Sequence, residues 1–290
     1  MNSLFDFQGY IAQHKDPQAR ARSMSFGDYA YRGDIKWLRS LHALPPVRLS
    51  VKASLQLWTG WGRAAVLEDA VKVGEREAPR VHALALDAAR SLHLPPVQVY
   101  LTHHLKDASA HALGDADELF VAVHSELPKI LSDDALLFEL GRQLGHVQNA
   151  HVLYRTVAYY ADEVANTAVR WMSRPAVLTQ NQWRRRATLT ADRAGLLCCR
   201  KLEVAIRRMA QDAVAAQRLV EDVDLERILA SLEAGTNEPQ SWTEKLLEHR
   251  PPLALRVAAL RRFADSQLYL DHCGVRERVG CALSAKRRSA

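Results

Sequence analysis

The sequence predicts an α+β fold, mostly helical, with one small sheet. Three observations carry this. Strand-like runs are confined to residues 97–124, where VQVYL (Val97–Leu101) and LFVAVH (Leu119–His124) are rich in β-branched and aromatic residues. Apolar residues on both sides of that segment recur at helical spacing. Proline pairs at Pro45-Pro46, Pro95-Pro96 and Pro251-Pro252 punctuate the helical stretches.

Residues 1–70 read as a helical N-terminal extension. They mix basic positions with Phe5, Phe7, Tyr10, Tyr29, Tyr31 and Trp37, and Ile35, Leu38 and Leu41 keep helical spacing until Pro45-Pro46. The extension carries no chemical motif. Leu49–Leu67 reads as a core or surface helix; Trp58 and Trp61 leave open an interfacial helix at a membrane surface. Val81, Leu84, Ala85, Ala88, Ala89 and Leu92 make the next helix amphipathic, and Pro95-Pro96 ends it. A loop containing Gly114 joins the two strands. Ser132 reads as an N-cap, with Asp133 and Asp134 in a first turn that favours negative charge. The helix it starts is predicted to run to Tyr154, with Leu136, Leu137, Leu140, Leu144 and Val147 as its apolar face. Residues 157–185 stay helical, with a break near Pro175, and another helix runs from Trp183 past Cys199 to Leu219. Residues 233–240 read as a loop. Pro251-Pro252 opens a last helix through Leu260 and Phe263, and the segment after Gly274 reads as a loose basic tail. The organisation is an extension over 1–70, a main domain over 71–265 and a tail over 266–290.

The 290 residues are 48% apolar and 25% charged, which excludes wholesale disorder, collagen-like repeats and a disulfide-dense mini-fold. Cys198, Cys199, Cys273 and Cys281 show no CxxC spacing and read as free thiols of a reducing compartment. The net charge of +6 suits nucleic acid, an anionic membrane or an acidic partner and selects none of them. No run of about 20 residues is continuously apolar, so no spanning helix is predicted. The expected location is the cytoplasm, with peripheral membrane contact left open.

The informative segment is LLFELGRQLGHVQNAH, Leu136–His151. It has the frame of a helix in which His-Glu-x-x-His places two imidazoles at i and i+4 to bind zinc, with the Glu as general base. Here the five positions read Arg142, Gln143, Leu144, Gly145 and His146. Arginine is a permanent cation and does not coordinate zinc at neutral pH, and a glutamine amide does not take up a proton there.

With HVLY following it, this stretch resembles the gluzincin zinc metallopeptidases of the heat-shock protease HtpX and CAAX prenyl protease type. A second motif of that family, Glu-x-x-x-Asp before Arg-Ala-Gly-Leu-Leu, is matched in ATLTADRAGLL, with Thr188 at the Glu position and Asp192 at the Asp position. VKVGEREAPRVHALALDAARSLHLPPVQVYL (Val71–Leu101) is similar to the family's first helix and strand, and EHRPPLALRVAALRRFA (Glu248–Ala264) to its C-terminal His-Pro…Arg segment. The resemblance implies a gluzincin core over about residues 71–265. It implies that His146 is the one zinc ligand kept, that Thr188 replaces the Glu ligand, and that His249 and Arg256 stand where a cleft His and Arg belong, with Arg256 the better match. A catalytic zinc normally has three protein ligands. Three of the four positions that define the chemistry are changed, so no catalytic residue, no bound metal and no cofactor are expected.

The resemblance also implies that the Asp192 carboxylate approaches position 142. Arg142 is therefore expected to grip Asp192 as a two-pronged, charge-assisted pair. His151 lies five residues beyond His146, about 140° around an ideal helix, and is expected to be structural. His103, His104, His111 and His124 are the residues from which a rebuilt site could recruit ligands. The basic cluster Arg184, Arg185 and Arg186, with Arg170 and Arg174, reads as a solvated or partner-facing helix surface, not as a nucleic-acid site. Cys198 and Cys199 read as packing residues.

The function expected is that of a non-catalytic peptidase homologue serving as a binding, regulatory or scaffold protein for a protein partner. The old substrate groove would take the partner by strand addition, at an edge placed in Leu119, Phe120, Val121, Ala122, Val123 and His124. The alternatives are an active zinc endopeptidase with a rebuilt metal site and an architectural subunit of a larger assembly.

Overall fold

A four-stranded mixed sheet supports the helices. The structure is a computed structural model that describes residues 27–31, 33–43, 62–105, 109–114, 118–164, 174–216, 227–228, 230 and 251–274. The strands are β1 (Val71–Lys72), β2 (Val99–Thr102), β3 (Ala110–Gly114) and β4 (Leu119–His124), in the order β1-β2-β4-β3. β2 and β4 run parallel with Val99 opposite Val121; β3 pairs antiparallel with β4, and β1 with β2.

Leu119–His124 is therefore an interior strand, not the edge expected of it. The sequence reading lacked two strands. β1 is two residues long, too short to show alternation. β3 reads AHALG, without a β-branched residue, and passed for a loop. Gly114 has φ +144, and a Cβ there would lie 2.3 Å from the Glu118 carbonyl, so the return from β3 into β4 needs glycine.

Among the described residues the helices are α1 (Asp34–Ala43), α2 (Arg63–Leu67), α3 (Pro79–Ser91), α4 (Leu127–Ile130), α5 (Asp133–Gln148), α6 (Val152–Val164), α7 (Arg174–Cys199), α8 (Leu202–Ala216), α9 (Leu253–Ala264) and α10 (Gln267–His272). Ser132 caps α5 as predicted, its Oγ accepting the Ala135 N–H. The helix stops at Gln148 instead of Tyr154. The Ala150 N–H returns to the Val147 carbonyl and the His151 N–H to the His146 carbonyl, with Ala150 at φ +56. This is a Schellman closure, and it went unread because its left-handed residue is alanine, not the usual glycine. Arg200, φ +54, ends α7 in the same left-handed region. Pro175 sits in the first turn of α7, which begins at Arg174, and its missing N–H costs nothing there.

The core has two layers, one on each face of the sheet. Ala110, Ala112, Val121 and Val123 pack with α3, α5, α7, α8 and α9. Leu113, Phe120 and Ala122 pack with Leu38, Leu153, Tyr154, Val157 and Trp183. α5 and α7 approach closely because small residues face each other. A Cβ on Gly145 would meet Ala194 Cβ at 2.4 Å, and one on Gly195 would meet Phe138 at 2.7 Å. This approach sets the charged positions of α5 against Asp192.

No helix among the described residues is long and apolar enough to cross a membrane. Trp58, Trp61, residues 233–240 and residues 275–290 lie outside the described residues. Beyond residue 265, α10 packs Leu268 and Tyr269 against the first core layer.

Candidate functional site

Glu139, Arg142, Gln143 and His146 recur at three- and four-residue spacing, so they share one face of α5, and all four are buried. Arg142 sits among three carboxylates. Its Nη1 donates to Glu139 Oε2 at 3.0 Å and lies 3.6 Å from Asp212 Oδ2 of α8, while its Nε lies 3.1 Å from Asp192 Oδ1 of α7. Burial works against the charge of Arg142, but Glu139, Asp192 and Asp212 outweigh it and raise the guanidinium pKa above its ordinary value.

Two further arginines complete the cluster. Arg256 of α9 grips Asp192 through two hydrogen bonds of 2.8 Å. Arg208 of α8 places its Nε 3.6 Å from Glu139 Oε2. Three buried cations thus balance three buried carboxylates. Removing one member of such a pair typically costs about 3–5 kcal/mol, because its partner is left charged and unsolvated. The two-pronged partner of Asp192 is therefore Arg256, not Arg142 as expected. The Arg142 fork is turned toward Glu139 and Asp212, so it approaches Asp192 by one nitrogen only.

Gln143 is held on three sides. Its Nε2 donates to Glu139 Oε1 at 2.9 Å, and its Oε1 accepts the Ala112 N–H of β3 at 3.1 Å and Arg155 Nη2 at 3.5 Å. His146 Nδ1 lies 3.0 Å from His151 Nδ1, and His151 Nε2 lies 3.0 Å from Asp34 Oδ2. A proton on His151 Nε2 toward the carboxylate leaves His151 Nδ1 as acceptor and His146 Nδ1–H as donor. Burial, then the nearby Arg155, holds His146 well below the ordinary histidine range, so it is neutral. His151 thus joins His146 after all. The helical angle does not apply to it, because the chain has already left α5 at Asn149–Ala150.

Asp34 also accepts from Thr190 Oγ1 at 2.7 Å, and Thr190 Oγ1 accepts the Tyr31 N–H at 3.1 Å. Tyr29 Oη donates to Gln148 and accepts from Asn149. Arg193 donates to the Tyr29 carbonyl at 3.0 Å and lies over the Tyr31 ring. The N-terminal segment is therefore fastened to the end of α5 and to α7 by polar contacts.

Thr188 lies one turn before Asp192 and donates its hydroxyl to the Arg184 carbonyl at 2.9 Å, closed on its own helix. His111 is on β3, its Nε2 2.9 Å from Ser109 Oγ and its ring against Tyr159. His103 and His104 stack on each other at the surface, and His124 Nδ1 accepts the Glu126 N–H. Arg186 packs over Trp37 at 4.6 Å, so that part of the basic cluster joins α7 to α1 rather than facing solvent alone. Arg170, the Arg174 side chain and His249 lie outside the described residues. Cys198 and Cys199 are buried free thiols.

The donor set does not suit zinc. Of the positions the motif implies, only His146 offers an imidazole. A guanidinium fills the first ligand position, a carboxamide already engaged on both ends fills the base position, and a hydroxyl committed to its own helix fills the third. Glu139, Arg208, Asp212, Asp34 and Arg155 were missed from the sequence. A carboxylate inside the apolar run LLFELG was the signal for Glu139, and the i, i+4 pair Arg208 and Asp212 on an amphipathic helix was the signal for those two.

The family model described as "Peptidase family M48" matches residues 75–264. A relative named "Plastoglobule-localized metallopeptidase 48, chloroplastic", from Arabidopsis thaliana, is 23% identical over 235 residues, 78% of this chain and 68% of the relative. A "Protease HtpX homolog" from Sulfurihydrogenibium sp. is 32% identical over 96 residues, 33% of this chain and 32% of the relative. No solved structure matches.

Proposed function

The chain belongs to peptidase family M48, and from that premise we propose that it is a member without zinc peptidase chemistry, acting as a binding, regulatory or scaffold protein. The observation that carries this reading is Arg142. A cation stands where the motif calls for the first zinc-binding imidazole, and three carboxylates hold it there. A divalent ion beside a buried guanidinium would meet repulsion that no remaining ligand offsets. Gln143 supports the same reading, since it cannot draw a proton from water. The partner is a protein, met on a surface other than β4, which is interior to the sheet.

The test is the zinc content of the chain purified from zinc-rich medium, beside the triple variant Arg142→His, Gln143→Glu, Thr188→Glu. The expected result is a metal-free native chain and a variant that gains zinc. One zinc per native molecule, or zinc-dependent cleavage of an unfolded protein by the native chain, would overturn the proposal.

A further inference from the structure

An edge strand normally presents unpaired N–H and C=O groups that an extended peptide can pair with. β3 is the edge nearest the site, and its ladder bonds decide which of its groups face outward. The His124 N–H donates to the Ser109 carbonyl, and pairing alternates from there, so His111 and Leu113 point at β4 while Ala110, Ala112 and Gly114 point away from it. The outward N–H groups of Ala112 and Gly114 are taken. The Ala112 N–H donates to Gln143 Oε1 at 3.1 Å, and the Gly114 N–H donates to Thr156 Oγ1 at 2.9 Å.

The two acceptors come from opposite sides. Gln143 reaches from α5, which packs with the Ala112 and Val121 face; Thr156 reaches from α6, whose Leu153, Tyr154 and Val157 pack with the Leu113 and Phe120 face. The turn Asn149–His151 joins the helices, so they clasp the edge between them. Each acceptor is itself fixed. Gln143 Nε2 is bonded to Glu139, and Thr156 Oγ1 donates to the Val152 carbonyl at 2.9 Å.

We propose that the α5–α6 hairpin is an intramolecular occupant of the β3 edge, an autoinhibitory contact in which Gln143 and Thr156 take two of the three outward N–H groups with which an extended peptide would pair. The inference goes beyond the loss of zinc chemistry and does not depend on it. A glutamine at this position therefore does two things: it lacks the proton affinity of a glutamate, and it closes the strand.

Residue-resolved amide hydrogen exchange on the full chain tests this. In the native chain, Ala112 and Gly114 are expected to exchange within about tenfold of His111 and Leu113, which bond to β4. Thr156→Val keeps the shape and removes the acceptor; it is expected to speed Gly114 by at least about tenfold and leave Leu113 unchanged, while Thr156→Ser keeps Gly114 slow. Gln143→Met is expected to do the same at Ala112. A variant that unfolds would free Leu113 as well, and the native rates then still decide. A capped Ala-Thr-Val-Thr-Val-Ala peptide, added to the native chain at millimolar concentration, is expected to leave the β3 amide resonances unmoved. Free exchange at Ala112 or Gly114 in the native chain, unchanged rates in both variants, or peptide shifts confined to β3 would overturn the proposal. A metal-free chain that takes the peptide at β3 would overturn this inference alone and leave the reading of the zinc site intact.

Discussion

Arg256 holds Asp192 by two hydrogen bonds of 2.8 Å, so the carboxylate is tied to α9 more tightly than to the Arg142 that faces it across the α5–α7 contact. Both side chains are almost wholly buried, at 3% and 2% exposure. Water does not screen the pair, and its loss strands a charge.

Arg256→Met is expected to cost about 3–5 kcal/mol of unfolding free energy in urea. Asp192→Asn is expected to cost at least as much, because it strands the Arg256 guanidinium and takes from Arg142 one of its three carboxylates. The double variant is expected to cost clearly less than the two single losses added, since the groups act on each other. Additive losses would mean that the two side chains stabilise the fold independently and that the pairing is incidental.

Gly145→Ala sets two effects against each other. Alanine is the better helix former by about 1 kcal/mol. The added methyl, however, would start 2.4 Å from Ala194 Cβ, with Ala191 Cα at 3.4 Å behind it. These neighbours belong to a packed helix and do not swing aside, and overpacking of this kind costs about 1–3 kcal/mol. The variant is therefore expected to unfold at a lower temperature than the native chain in calorimetry. A higher melting temperature would show that the helices separate easily and that their close approach does not set the site.

The sequence showed the parts of this site that lie in local patterns. The apolar face of α5 and its Ser132 cap follow from spacing along the chain, and the resemblance to the family's two motifs aligns Arg142, Gln143, His146, Thr188 and Asp192. What it did not show depends on contacts distant in sequence or on unusual backbone. Ala150 in a left-handed conformation ends α5 early and swings His151 back onto His146, which no helical projection anticipates. Asp34 lies 156 residues from Thr190, and only the folded chain brings them together. The edge of the sheet was misplaced because β3 has a weak strand sequence, and finding β3 moves Leu119–His124 to the interior. Arg208 and Asp212 were read as part of an ordinary helix, although their buried face carries charge.

Asp34 is expected to be the residue that fastens the N-terminal segment. Its Oδ2 takes both His151 Nε2 and the Thr190 hydroxyl in a site with 1% exposure. Asp34→Ala removes the acceptor of both bonds, leaves the Thr190 hydroxyl and His151 Nε2 without it in a buried site, and is expected to cost about 1–3 kcal/mol. The loss should be local as well as global. Limited proteolysis is expected to cut within residues 27–43 in the variant under conditions where the native chain stays whole. Equal cutting in both would mean that Tyr29 and Arg193 hold the segment by themselves.

Cys199 gives the chain an alkaline weakness whose sign can be worked out. Burial pushes its thiol up to about 11 from an ordinary 9.0, with the Lys201 backbone contact only partly opposing it. The unfolded chain therefore ionises this thiol from pH 9.0 upward, while the folded chain resists until about pH 11. The unfolded state binds fewer protons across that window, so stability falls as pH rises, by about 1.4 kcal/mol per pH unit for one proton. Below pH 9.0 both states hold the proton and the group has no effect. Cys199→Ala removes this pH dependence and leaves a small cavity. The variant is expected to be less stable than the native chain near neutral pH, by about 1 kcal/mol, and to draw level or overtake it above about pH 10. Urea unfolding at neutral and at high pH measures the difference directly. A gap that stays constant with pH would mean that the thiol ionises in the folded chain as readily as in the unfolded one, and that its surroundings admit water.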